Sequence, residues 1–376
     1  RSHPHASSPG GQHVHPSTPS ETAPVPTGEP QTPAGTRPGG GRPPAWVLWL
    51  AAGLAVVLGV VTFVVVAGDE PESSVVGTEA PPAAGGQWLS GSAGIEVVDG
   101  GFADWRGRDV EIAGSWSDDN ENMVEMWQLQ PGWEFGDWDR PMDVAIGAIG
   151  PEETWREAAA GAYDDRWRAS MTKLRELWAD RPGTLYVRFA HESNGNWYPW
   201  SVSWGEQDDF KAAWQRFREL QQEIYPESQL VFCVNREAVQ TGLDWRETFP
   251  GAEFVDVMSV DYYNQYPYVD TAEEWQDSLD DYDQFGGPKG LARHLEFAES
   301  VGLPLAVSEW SGNADEGDST AFIEGMNEFF REHGGNGPGQ VLYEILFNVE
   351  GYDEKFILYG DGVRMPESAE AYRRLW

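Results

Sequence analysis

Residues Leu185–Trp200 read LYVRFAHESNGNWYPW. The first six, Leu185–Ala190, are almost continuously apolar over the length of one strand. Continuous rather than alternating apolar residues mark a strand covered on both faces, as in a parallel sheet lying under helices. The next ten switch at once to His191, Glu192, Asn194 and three rings, Trp197, Tyr198 and Trp200. A buried strand that runs straight into a polar, aromatic loop is the pattern of a barrel strand reaching the mouth, where function gathers.

Seven other runs share the first half of that pattern. They are Ile95–Val98, Val110–Trp116, Met142–Ile149, Leu230–Val234, Phe254–Val260, Leu303–Val307 and Val341–Phe347. Helical spacing fills Glu153–Asp180, Asp208–Ile224, Ala272–Val301 and Ser319–His333. Eight such strands alternating with helices predict an α/β fold, a (β/α)8 TIM barrel over residues 88–376.

Upstream the composition changes. Residues 1–44 are rich in Pro, Gly, Ser and Thr and predict a disordered tail, which has too little apolar surface to offset its ordering entropy. Trp46–Ala67 is an uncharged apolar run inside residues 45–68, long enough for a single transmembrane helix. Arg37 and Arg42 before it, and Asp69, Glu70 and Glu72 after it, orient the N-terminus inward. The expectation is a single-pass protein of the cell membrane with an extracellular catalytic domain, or a domain secreted after cleavage. Residues 69–87 form a Pro/Ala/Gly linker.

Charge narrows the function. The 376 residues carry 25 basic and 62 acidic side chains, a net −37, and residues 88–376 alone carry −34. So acidic a surface excludes a general nucleic-acid binder and disfavours polyanionic substrates. The lone Cys233 excludes a disulfide framework and a cysteine zinc site. No G-x-G-x-x-G, Walker or G-x-S-x-G motif follows a strand, and no cofactor or metal is expected. Asp118-Asp119-Asn120-Glu121 lacks the spacing of a calcium loop and reads as a solvated acidic loop.

Two glutamates directly follow apolar runs, Glu192 and Glu309. Two carboxyl groups flanking one bond are what glycoside hydrolysis needs, about 5 Å apart in a retaining enzyme. One is kept protonated by partial desolvation and the other ionised by donors. Seventeen of the 19 tryptophans lie in residues 88–376. Indole faces stack on the C–H faces of pyranoses. Trp197, Trp200, Trp204 and Trp310 fall in expected mouth loops, whereas Trp155, Trp167, Trp178, Trp214 and Trp275 fall in helices and read as packing. Trp116 and Asn194, also at strand ends, join the candidate substrate contacts.

RFAHESNGNWYPW resembles the His-Glu-x-Asn-Gly-x-Trp motif of the family 26 glycoside hydrolases, the β-mannanase-like family. VDVMSVDYYN and AVSEW resemble its later motifs, in the same order. The resemblance spans residues 88–376. It implies a retaining enzyme with Glu192 as general acid/base and Glu309 as nucleophile. It also implies His191 in the subsite of the sugar under attack, Trp197 as an aromatic wall and Tyr263 as a donor to the nucleophile. Ser308 stands where the family often has Gly, and Leu346-Phe347-Asn348 where it often has Trp.

The expected function is endo-hydrolysis of a neutral β-linked polysaccharide by a monomer, foremost β-1,4-mannan or glucomannan. Mixed-linkage β-glucan or β-1,3-xylan come next. An envelope-glycan transglycosylase and an inactive glycan-binding barrel are the alternatives.

Overall fold

The structure is a computed structural model and describes residues 87–376. The expected tail, membrane helix and nearly all of the linker lie outside the described residues. Among the described residues no helix is long and apolar enough to cross a membrane.

Eight parallel strands close into a barrel in chain order. They are β1 (Leu89–Gly94), β2 (Ile112–Ser117), β3 (Met142–Ile146), β4 (Leu185–Phe189), β5 (Gln229–Asn235), β6 (Val257–Tyr263), β7 (Leu305–Ser311) and β8 (Val341–Asn348). The double covering read from β4 has its cause here. Tyr186 belongs to a small apolar cluster inside the barrel with Ile112, Val231, Ala306 and Tyr343. Leu185, Val187 and Phe189 belong to the larger layer between strands and helices, with Trp167, Trp214 and Phe217. Helices Asp164–Trp178, Gln207–Ile224, Leu291–Ser300 and Thr320–His333 supply that outer layer. The last is capped by Ser319, whose side chain accepts from Phe322 N, and it buries Phe322, Ile323, Met326, Phe329 and Phe330 at helical spacing.

Three strand expectations require correction. The first strand is not Ile95–Val98, which lies in a turn, but LSGSAG just before it. Its residues are small because β1 is wedged between β2 and β8, with which it pairs over six positions on the β8 side. A Cβ on Gly91 would sit 2.2 Å from the Ile112 carbonyl oxygen. The sixth and seventh strands continue past the expected ends, Val260 and Val307, to Tyr263 and Ser311. Their added residues are polar or aromatic because the barrel interior is polar near its mouth.

The helical expectations Glu153–Asp180 and Ala272–Val301 each split. The first becomes Trp155–Ala159 and Asp164–Trp178, the second Ala272–Ser278 and Leu291–Ser300.

Candidate active site

Strict alternation along β7 would turn Ser308 and Glu309 to opposite faces. The register of β7 against β8 shifts between Val307 and Trp310, and that of β6 against β7 shifts between Ser259 and Asp261. Through this irregularity two successive residues face inward. Ser308 Oγ donates to Asp143 Oδ2 at 2.7 Å, deep in the barrel, and Glu309 stands above it at the mouth. The next residue is thereby thrown outward. Trp310 is wholly buried against Phe330 and Trp376, and its Nε1 donates to Glu344 Oε2 at 2.6 Å. Trp310 is therefore a packing residue, a correction to its expected place in the mouth.

Glu309 is held by three donors. Trp116 Nε1 and Arg188 Nη1 each donate to Oε1 at 2.7 Å, and Tyr263 OH donates to Oε2 at 2.9 Å. Arg188 is fully buried and also pairs with Asp143 at 2.5 Å and Asp261 at 3.5 Å. Burial works against its charge, but these carboxylates outweigh burial and hold its pKa well above the usual value. Burial, reinforced by the Glu309 charge, keeps the Tyr263 phenol far above its usual pKa, so it remains a proton donor. Phe347 packs edge-on to Trp116 and Tyr263, with ring centroids 5.3 and 5.7 Å apart.

Glu192 is positioned differently. It lies three residues past β4, on backbone that is left-handed at both Ala190 (φ 54°) and Glu192 (φ 51°). Each such residue costs about 1–2 kcal/mol and persists only where its surroundings hold it. Here Glu192 N donates to Cys233 O at 3.0 Å. Asn194 ties the loop to β5, donating to Asn235 O and accepting from Asn235 N, both at 2.8 Å. Asn194 thus braces the loop and is absent from the cavity wall, a correction to its expected substrate contact. Its neighbour Gly195 lets Trp197 fold back, since a Cβ there would lie 2.4 Å from the indole ring. Trp197 Nε1 consequently reaches Glu192 Oε2 at 2.9 Å, its only side-chain donor among the described residues, while the ring stays 46% exposed.

Both carboxyl groups line one cavity of about 590 Å³, with Trp116, Trp197, Tyr263 and Phe347 among its walls. Burial, and secondarily the negative charge of Glu309, push the Glu192 carboxyl up to about 8; Trp197 and Arg188 pull the other way. At neutral pH Glu192 therefore carries a proton. The cavity accordingly offers a proton donor and, on the same lining, a carboxyl group gripped by three hydrogen-bond donors.

His191 is buried behind the wall, against Tyr198 and Trp200, and both its ring nitrogens lack a partner among the described residues. Burial, then Arg188, lowers its pKa well below the usual imidazole range, so it is neutral. Trp200 is buried too, donating from Nε1 to His191 O at 2.7 Å and stacking on Tyr198 at 4.4 Å. Trp204 is 76% exposed and outside the cavity.

Asp118 is the site residue the acidic-loop reading missed. It lies one residue past β2 and lines the cavity, with a third of its side chain open, and Oδ1 is 3.8 Å from His191 Nδ1. Burial, then Glu309, push it up to about 7. Its place at a strand end was the available signal. A larger cavity of about 1080 Å³ beside β1 and β8 contains neither glutamate.

Two carboxyl groups in one cavity at the mouth of a (β/α)8 barrel, one with its pKa raised and the other held by three donors, are the arrangement that glycoside hydrolysis uses. The comparisons agree. Residues 146–298 match Glycosyl hydrolase family 26; the matched stretch includes Glu192 and ends before Glu309. Endoglucanase H of Acetivibrio thermocellus is 22% identical over 176 residues, 46% of this chain and 19% of the relative. A mannan endo-1,4-β-mannosidase of Bifidobacterium adolescentis is 24% identical over 185 residues, 46% of this chain and 17% of the relative. The chain thus spans less than a fifth of the length of these curated relatives. The solved structure of a Cellulomonas fimi endo-β-1,4-mannanase double mutant shares the fold, with a TM-score of 0.55 at 14% identity over 76% of this chain and 70% of that one.

Proposed function

We propose that the protein cleaves internal bonds of neutral β-1,4-linked mannan or glucomannan with retention of configuration. The observation that carries this reading is the contrast between the two carboxyl groups in one cavity, Glu192 pushed up to about 8 and Glu309 bound by three donors. A Glu309 oxygen attacks the anomeric carbon as the glycosidic C–O bond breaks, and Glu192 gives its proton to the departing oxygen. Water then attacks the same carbon and loses a proton to Glu192. The C–O bond to Glu309 breaks and its carboxylate returns. Trp116 and Trp197 each turn a ring to the cavity and an N–H to a carboxyl group, so they tie sugar stacking to the reacting groups.

A mannan-cleaving relative supports the mannan reading, and the endoglucanase relative favours β-glucan as the second. The test incubates the full chain with glucomannan, galactomannan, mixed-linkage β-glucan and β-1,3-xylan and counts new reducing ends, with Glu192→Gln and Glu309→Gln alongside. Mannan cleavage lost in both variants is the expected result. Preference for mixed-linkage glucan replaces the substrate, and cleavage that persists in either variant rejects the mechanism. We also infer that Trp46–Ala67 anchors the chain in the cell membrane with residues 88–376 outside, as a monomer. Membrane fractionation, protease accessibility and light scattering test this.

A further inference from the structure

Below Glu309 the barrel interior holds a polar network drawn from β3, β4, β6, β7 and β8. β3 is buried throughout, yet its second residue is Asp143. Register sets Asp143 beside Tyr186 of β4, and Arg188, two residues on, shares the inward face of Tyr186. Arg188 Nε donates to Asp143 Oδ1 at 2.5 Å, while Nη1 of the same guanidinium donates to Glu309 Oε1 at 2.7 Å. We propose that Asp143, braced by Ser308 and Tyr343, is a positioning residue for the attack by Glu309 and acts through Arg188. This rests on the reading of Glu309 as the attacking group.

An arginine side chain is long, and its fork has a direction only when the fork itself is held. The guanidinium is planar, so fixing Nε–H on one acceptor fixes the plane and with it the direction of Nη1. Nη2 has no partner among the described residues, and Asp261 Oδ2 is 3.5 Å from Nη1. The bond to Asp143 is therefore what aims the fork at Glu309.

Asp143 is held in turn. Its Oδ2 accepts from Ser308 Oγ at 2.7 Å and from Tyr343 OH at 2.8 Å. A serine hydroxyl has one proton to give. Ser308 gives its proton to Asp143, so Ser259 Oγ, 2.7 Å from Ser308 Oγ, is the donor in that pair. Ser259, Ser308 and Tyr343 thus all direct their protons along one path to Asp143. Burial raises the Asp143 pKa, and Arg188, Ser308 and Tyr343 oppose that rise. Asp143, Ser259, Ser308 and Tyr343 are buried and absent from the lining of the catalytic cavity, so their route to the reacting atoms is Arg188. Ser308 stands where the β-mannanase-like family often has Gly, so this brace does not come with the motifs that resemble that family.

The test compares Asp143→Asn with the double variant Ser308→Ala/Tyr343→Phe, which keeps every charge and removes both hydroxyl donors. For the full chain, kcat and KM are measured on glucomannan and on an activated aryl glycoside. A misdirected attacking group is expected to lower kcat by about 10–100-fold in Asp143→Asn and about three- to tenfold in the double variant, with KM within about twofold. The aryl glycoside should recover neither loss, because the attack and not the proton is impaired. A merely structural role lowers the melting temperature and leaves kcat of the folded protein intact. That outcome, a loss confined to KM, or a loss that the aryl glycoside recovers overturns the proposal. If Asp143→Asn does not fold, the double variant decides by the same criteria. If wild type cuts neither substrate, the enzymatic reading falls, and crystal structures decide the positioning. Arg188 Nη1 turned away from Glu309 in either variant upholds it, and an unmoved fork in both overturns it.

Discussion

The end of β7 and the loop after β4 each deliver a glutamate to one cavity, and they do so by opposite means. Glu309 stands on a strand, brought inward by a register irregularity, with Arg188, Trp116 and Tyr263 all donating to it. Glu192 stands on left-handed backbone and receives a single side-chain hydrogen bond, from Trp197. Placement on a strand over a buried arginine surrounds Glu309 with donors, whereas placement on a strained loop leaves Glu192 with one donor and a raised pKa. Chemically identical side chains acquire different tasks because one has donors and the other has mainly burial and a negative neighbour.

Breaking the anionic side should cost most. Glu309→Gln removes the attacking oxygen, and kcat is expected to fall by roughly 10⁴-fold or more. Steady-state assays on glucomannan check this. Glu192→Gln leaves the attack in place but removes the proton, with an expected fall of about 10²–10⁴-fold. Because protonation matters less for a good leaving group, an activated aryl glycoside should recover much of the Glu192→Gln loss and none of the Glu309→Gln loss.

The support beneath Glu309 should be costly in stability. Arg188→Met leaves Asp143 and Glu309 buried without their cation, and denaturant melts are expected to show a loss of about 3–5 kcal/mol. The same substitution at an exposed arginine such as Arg168, paired with Glu223 at the surface, should leave the denaturant melt nearly unchanged.

The acid side is sharpened by pH. With Glu192 at about 8, kcat/KM should hold below that pH and fall tenfold per unit above it, as the proton is lost. Trp197 stabilises the charged form, so Trp197→Phe should move this basic limb upward. Stability follows the same sign. The folded state binds the Glu192 proton more tightly than the unfolded state, whose carboxyl titrates near 4.5, so this group's contribution is lost as pH rises from about 4.5 to about 8. Glu192→Gln should therefore narrow the drop in melting temperature between pH 5 and pH 9.

The two regions were also unequally legible in the sequence. Around β4, the apolar run and the polar loop announced both the barrel and the position of Glu192. Around β7, the apolar signal stopped at Val307, and nothing in the spacing showed that the strand continues and shifts register, which is what turns Glu309 in and Trp310 out. β1 was misplaced for a related reason: its residues are small because two neighbours crowd it, and smallness has no hydrophobic signature. Asn194 and Asp118 show the limit of reading strand ends. Both follow strands, yet the hydrogen bonds of Asn194 turn it to β5, while Asp118 in a run of acids lines the cavity. Residue type and position did not separate them; tertiary contacts did.

In the proposed mechanism Glu309 is the attacking group and Glu192 the proton donor. Incubation with an activated 2-deoxy-2-fluoro-β-glycoside, followed by peptide mass spectrometry, tests it most directly. One covalent sugar is expected, on the peptide containing Glu309. A sugar on Glu192, or turnover that releases the inverted anomer first, would contradict it.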